Sequence, residues 1–177
     1  MQSDMHTAAH FYATHRGRVA ARLLGQRMTA FWPEGTQGRT LGLGYALPFL
    51  PLWEREDAPC FSARLDTHVT RAAPPWQGRD CMASGLQLPF DDLKFDRILL
   101  IHALEVSEDK NSLLRQVWKI LRDDGRLLLV VPNRAGLWAH ADNSPFGQGT
   151  PFSRRQISRW LADACFRAER HEDALYI

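Results

Sequence analysis

The hydrophobic positions of this chain follow two rhythms, one suited to helices and one to buried strands. From Thr7 to about Phe31, the residues Phe11, His15, Val19 and Leu23 recur every four positions, and Leu24, Met28 and Phe31 extend the same face. That spacing predicts one amphipathic helix, ended by Pro33-Glu34-Gly35. A polar stretch then leads into a first strand, Arg39 to Leu43, which stops at Gly44. Phe49 to Trp53 predicts a short helix, with Pro48 near its first turn, where a missing N–H is tolerated. Cys60 to Leu65 alternates Phe61, Ala63 and Leu65, the period of a second strand. Thr67 to Arg79 has no period and reads as loop with a helical turn, and Arg79 to Met82 as a weak third strand.

Phe95 to Ile101 is the strongest strand signal, a near-continuous apolar run of the kind that is buried on both faces of a parallel sheet. Leu113, Leu114, Val117, Ile120 and Leu121 give the stripe of a helix over about Asp109 to Leu121. Asp123-Asp124-Gly125 turns the chain into a further strand, Arg126 to Val131. Asn133 to Pro151 is long and irregular. Ser153-Arg154-Arg155-Gln156 matches a capping box and opens a helix to about Ala164. Ala174 to Ile177 predicts a final short strand. Strands alternating with helices imply right-handed crossovers and an α/β doubly wound parallel sheet. The chain reads as one domain, with residues 1–35 a helical segment packed on an α/β unit over 36–177.

Composition narrows the chemistry. The 177 residues carry a net charge of +2, with 45% apolar and 24% charged residues. The basic residues are interspersed with acids, which argues against a nucleic-acid binder. Three widely spaced cysteines read as reduced thiols in a cytoplasmic protein. The seven histidines form no metal-ligand motif. No apolar run reaches the length of a membrane span, and no signal-peptide pattern opens the chain.

The segment Leu41-Gly42-Leu43-Gly44-Tyr45-Ala46-Leu47-Pro48 has the strand-to-turn-to-helix passage that presents backbone N–H groups to a nucleotide. Further along stand Leu88-Pro89-Phe90 and Phe95-Asp96-Arg97-Ile98-Leu99-Leu100, then the Leu114 helix, the Asp124-Gly125 turn and the strand up to Pro132. This ordered set, over positions 36 to 166, resembles the class I S-adenosylmethionine-dependent methyltransferases of the small-molecule, type 11 kind. The resemblance implies a Rossmann-like, seven-stranded sheet with one antiparallel strand, and the cofactor S-adenosylmethionine at the carboxyl ends of the first strands.

It also implies site residues. The glycine loop is Gly42, Leu43, Gly44, Tyr45 and Ala46. The family's loop begins with an acid, here Gly42, and its second and third glycines are Ala46 and Pro48. Asp66 stands where the family binds ribose, and reads equally as a solvated turn aspartate. Ser84 takes the place of the adenine-binding acid, beside the backbone of Gly85 and Leu86. His102 and Glu105 fall where residues pack beside the methyl donor. Each also has an ordinary reading, His102 as a core-edge histidine and Glu105 as a first-turn helix acid. Trp138, His140 and Phe146, between glycines, fit a lid over an apolar acceptor, or else aromatics capping the core. His102, Glu105 and His140 are the available bases, and none is assigned a catalytic role.

The resulting expectation is methyl transfer to an unidentified small molecule. The alternative is a degenerate member of the fold that serves as a binding or regulatory subunit, motivated by Gly42, Pro48, Ser84 and a sheet one strand short. A nicotinamide dinucleotide site would need a third glycine that Gly42-Leu43-Gly44-Tyr45-Ala46-Leu47 lacks. An open sheet edge predicts pairing with a second copy of the chain.

Overall fold

The computed structural model describes residues 3–33, 37–65, 79–136, 147 and 149–175. Five strands form one parallel sheet: β1 (Thr40–Gly44), β2 (Cys60–Leu65), β3 (Asp80–Ala83), β4 (Phe95–Ile101) and β5 (Leu121–Val130), in the order β3-β2-β1-β4-β5. The helices are α1 (Ser3–Ala13), α2 (His15–Phe31), α3 (Lys110–Ile120) and α4 (Arg154–Asp163), with a 3-10 turn at Leu50–Leu52. The α/β doubly wound architecture is thus present. Two of the seven strands that the resemblance implies, the antiparallel one among them, are not found among the described residues.

The apolar run of β4 explains the layers. Successive strand side chains point to opposite faces, so Ile98 and Leu100 enter one core with Leu113, Val117 and Ile120 of α3. Leu99 and Ile101 enter the other, with Leu24 and Met28 of α2 and with Trp32, Phe49 and Trp53. Leu88 and Phe90 anchor the chain before β4: Leu88 is buried in the first core, and the Phe90 ring meets Phe95 edge-on at 5.0 Å. Asp109 caps α3 by accepting from the Ser112 N–H at 2.9 Å, and the Ser112 hydroxyl, donating at 2.6 Å, together with that N–H lowers its pKa. The capping box of Ser153 and Gln156 is formed.

Three expectations change. The first helix is two: Thr14 leaves the helical conformation, its hydroxyl donates to the Phe11 carbonyl (2.7 Å) and accepts from the Gly17 N–H (3.0 Å), and the chain turns. The turn also rotates the apolar stripe. Gly17, Ala20, Leu24 and Met28 are buried, while His15 is exposed and Val19 and Leu23 are nearly half exposed. In β5, Leu121 pairs with Phe95 and Arg126 with Arg97, so residues 122–125 bulge out before the strand proper. No strand forms over Ala174 and Leu175, and the rest of that predicted strand lies outside the described residues.

Beyond the outer edge of β5 lies a groove of about 1000 Å³, lined by Leu24 and Met28 of α2, Leu128 and Val130 of β5, Ile157 of α4 and Leu175. None of Gly44, Tyr45, Ser84 or His102 lines it. Among the described residues, no helix is long and apolar enough to cross a membrane.

Candidate active site

The strand order reverses at β1. From β1 the chain moves outward to β2 and β3, then returns to place β4 on the other side. In open α/β sheets such a switch point leaves a crevice beyond the carboxyl ends of the two central strands. Here those ends are Gly44 and Ile101, which are register partners. The residues that follow them, Tyr45 and His102, therefore stand at the crevice. The Tyr45 N–H donates to the Ile101 carbonyl at 3.0 Å and ties the two strand ends together.

Gly44 is fixed by this closeness. Its φ is +82°, and a Cβ there would stand 2.3 Å from the Ile101 carbonyl oxygen and 2.8 Å from the Ala103 Cβ. Only glycine satisfies both demands. Gly42 and Ala46 are coupled differently. A Cβ on Gly42 would lie 2.5 Å from the Ala46 Cβ, with Leu50 behind it at 3.1 Å. Ala46 is fully buried, so its methyl turns inward into the space that a side chain at 42 would take. The loop has exchanged a side chain at one position for a methyl at the other.

A methyl exchange tests this. Gly42→Ala alone is expected to cost about 1–3 kcal/mol through overpacking. Ala46→Gly alone is expected to cost about 1–2 kcal/mol through the lost methyl and added chain freedom. The double variant moves the methyl across the contact and is expected to cost less than the sum by at least about 1 kcal/mol. Urea denaturation of the four proteins checks it, and strict additivity would refute a shared space.

The third feature is a buried polar row. The Tyr12 hydroxyl meets His102 Nε2 at 2.8 Å, and His102 Nδ1 meets Glu105 Oε1 at 3.3 Å. All three residues are buried, Glu105 to within 2%. With an ionised carboxylate, both bonds are satisfied when the Nδ1–H of His102 donates to Glu105 and its Nε2 accepts from Tyr12. His102 has φ +51°, an uncommon conformation for a side-chain-bearing residue, taken up immediately after β4 ends. The Tyr12 ring stacks on Tyr45 (5.7 Å) and meets Phe49 edge-on. Burial pushes the Tyr12 phenol far above its usual range, and the negative charge of Glu105 adds to the effect. Among the described residues, Glu105 Oε2 is buried with no hydrogen-bond partner. Leaving such an acceptor unpaired costs about 1–3 kcal/mol or more, so the fold tolerates it against a penalty. The Glu105 backbone is packed as well: Thr150 N–H donates to its carbonyl at 3.0 Å, beside Gly149 at φ +76°.

The remaining expected residues divide. Ser84, Gly85 and Leu86 form a turn just past β3, closed by the Ser84–Gln87 bridge, with Leu86 62% exposed. The Ser84 hydroxyl accepts from the Leu86 N–H at 3.2 Å, so one of its acceptor positions is already in use. Leu43 is buried in the core below the turn. Asp66, Trp138, His140 and Phe146 lie outside the described residues. Sequence reasoning missed Tyr12. Its signal was a polar-tipped aromatic next to Phe11, but only the break at Thr14 directs it to His102. Among the described residues, no group of three or more His, Cys, Asp or Glu side chains is placed to hold a metal ion.

Comparison with known proteins bears on this geometry. A family model described as a methyltransferase domain matches residues 41–129, which is 89 of the 177 residues. The chain is 36% identical over 64 residues to the 27-O-demethylrifamycin SV methyltransferase of Amycolatopsis mediterranei. That match takes in 34% of this chain and 24% of the relative, so the chain spans about a quarter of that protein's length. Among solved structures, a Thermotoga maritima protein described as an S-adenosylmethionine-dependent methyltransferase, possible histamine N-methyltransferase, aligns with a TM-score of 0.66. The identity is 17%, over 90% of this chain and 76% of that one. An S-adenosylmethionine-dependent methyltransferase of Archaeoglobus fulgidus aligns with a TM-score of 0.65 at 15% identity, over 90% of this chain and 74% of that one. The structural likenesses establish a shared fold.

Proposed function

This chain belongs to the methyltransferase-domain family, whose cofactor is S-adenosylmethionine, and from that premise we propose that it transfers a methyl group to a small-molecule acceptor. The observation that carries the reading is the joining of Gly44–Tyr45 to Ile101–His102 at the switch point, which sets a glycine turn beside a buried polar row. The residues fit the cofactor. The turn from Leu43 to Ala46 follows β1 at the crevice, and the Ser84–Leu86 turn follows β3 on the same carboxyl side of the sheet. Beside His102 stands a buried acceptor oxygen with no partner among the described residues, available to a cationic ligand.

The bound cofactor supplies an activated methyl group, so the protein's task is to align it with the acceptor and exclude water. In this reading the turn at Gly42–Ala46 holds the methionyl part, Asp66 the ribose, and Ser84, Gly85 and Leu86 the adenine. His102 borders the methyl donor. Trp138, His140 and Phe146 close over the acceptor. The acceptors named for the similar proteins include an oxygen in one and a nitrogen in the other, so the atom methylated is left open. The unpaired state of Cys60, Cys81 and Cys165 supports a reducing, cytoplasmic setting. The outer edge of β5 supports self-association.

Calorimetric titration with S-adenosylmethionine and S-adenosylhomocysteine tests the reading. Binding of both in the micromolar range is expected. No heat and no thermal shift at millimolar ligand would overturn it. Binding without methylation of any member of an acceptor panel would reduce the protein to a binding role.

A further inference from the structure

Glu105 is the one acid among the described residues whose side chain is buried, and only one of its two oxygens has a partner. Its neighbour His102, held in turn by Tyr12, orients that oxygen without supplying a permanent positive charge. No lysine or arginine pairs with Glu105 among the described residues. The fold therefore keeps an acceptor in a low-dielectric site, four residues past the end of β4, with part of its capacity unspent. Meanwhile the end of β1 and the turn after it, from Leu41 to Pro48, hold no charged residue at all.

The methionyl end of S-adenosylmethionine carries a sulfonium, an ammonium and a carboxylate, so it is net cationic, and its two cations must be met by opposite charge or by oriented acceptors. We infer that Glu105, held by His102 and Tyr12, supplies the negative charge that draws the cationic methionyl end of the cofactor into the crevice between β1 and β4. This inference rests on the proposed cofactor. A charge in a buried site is screened little, so its field reaches a cation a few ångströms away with far more effect than a surface carboxylate has. The bare β1 turn is explained by the same step: with the charge carried after β4, position 42 is free to be glycine and to accommodate the Ala46 methyl. The strained backbone at His102, φ +51°, turns its ring between Tyr12 and Glu105 and fixes the carboxylate from one side.

The experiment is calorimetry on wild type, Glu105→Gln and Glu105→Asp with three probes. S-Adenosylmethionine has both cations and the carboxylate, S-adenosylhomocysteine keeps the ammonium and carboxylate without the sulfonium, and 5′-methylthioadenosine is the nucleoside thioether with none of the three charges. The glutamine variant is expected to lose at least about tenfold in affinity for S-adenosylmethionine while binding 5′-methylthioadenosine within about twofold of wild type. A loss shared by S-adenosylhomocysteine assigns the charge to the ammonium, and a loss confined to S-adenosylmethionine assigns it to the sulfonium. Unchanged S-adenosylmethionine affinity overturns the inference, and so does an equal loss for all three probes, which would mark a merely structural side chain. The aspartate variant keeps the charge but withdraws it by one carbon, and decides the matter if the glutamine variant does not fold. A preference for S-adenosylmethionine over 5′-methylthioadenosine lowered at least about threefold supports the inference, and an unchanged preference overturns it. Wild-type protein that binds 5′-methylthioadenosine but neither of the others overturns the inference, whereas failure to bind all three overturns the cofactor itself.

Discussion

Gly44→Ala is expected to cost the protein about 2–5 kcal/mol of stability, lower its melting temperature by about 10 °C, and remove measurable binding of S-adenosylmethionine. Two separate penalties combine. The residue sits at φ +82°, where a Cβ costs about 1–2 kcal/mol in the left-handed region. The added methyl would also stand 2.3 Å from the Ile101 carbonyl oxygen, a backbone atom that cannot swing aside as a side chain would. Relief requires the ends of β1 and β4 to separate, with a typical overpacking cost of about 1–3 kcal/mol. That separation strains the Tyr45 N–H to Ile101 bond and moves His102, whose carbonyl lies 3.1 Å from the same position. One methyl thus disturbs both halves of the site. Thermal denaturation and calorimetry together check it. A variant that melts like wild type, or that binds cofactor normally, would show that the two strand ends are not held as described.

The parts of this fold visible in the sequence were those set by local chemistry. β4 runs Phe95–Ile101, the bounds its residue pattern predicts, because a strand buried on both faces of a parallel sheet carries a near-continuous apolar run. β2 runs Cys60–Leu65, the bounds predicted from the alternation of Phe61, Ala63 and Leu65. The Ser153 capping box formed because its partners are three residues apart. What the sequence hid were consequences of residues meeting at a distance. The helix break at Thr14 was masked by an apolar period that runs straight through it, with no proline to mark it. Its faint signals were Thr14 with Gly17 three residues on, and a histidine, His15, on the supposed apolar face. Gly42 and Ala46 read separately as a lost acid and a lost glycine. Only the turn that brings the two Cβ positions within 2.5 Å shows them as one substitution. His102 and Glu105 were legible as candidates from their place after β4. Their link to Tyr12, 90 residues away in the chain, was not.

The N-terminal helix reaches the site through a single elbow, and Gly17→Ala is expected to break it. Inside a helix, glycine to alanine normally stabilises by about 1 kcal/mol. Here the sign reverses, because the new Cβ would lie 1.9 Å from the Phe11 carbonyl oxygen and 2.7 Å from the Tyr12 Cα. Both are backbone atoms of α1, so the only relief is for α1 to lift from α2, at a cost of at least about 2 kcal/mol. Lifting α1 takes Tyr12 away from His102 and from its stack on Tyr45. The Tyr12 phenol is held far above its ordinary range chiefly by burial, with the Glu105 charge second, so once exposed it should titrate near the ordinary tyrosine value of 10.0. The linkage has a definite sign. In wild type the raised folded-state pKa leaves stability unaffected below pH 10 and withdraws it as the pH rises further, because the unfolded phenol ionises first. In Gly17→Ala that alkaline loss should shrink while stability at neutral pH falls. Phenolate absorbance across the alkaline range, compared with Tyr12→Phe, separates Tyr12 from the other tyrosines. An alanine variant that is more stable at neutral pH, with Tyr12 still silent, would mean that α1 does not pack against the site through this elbow.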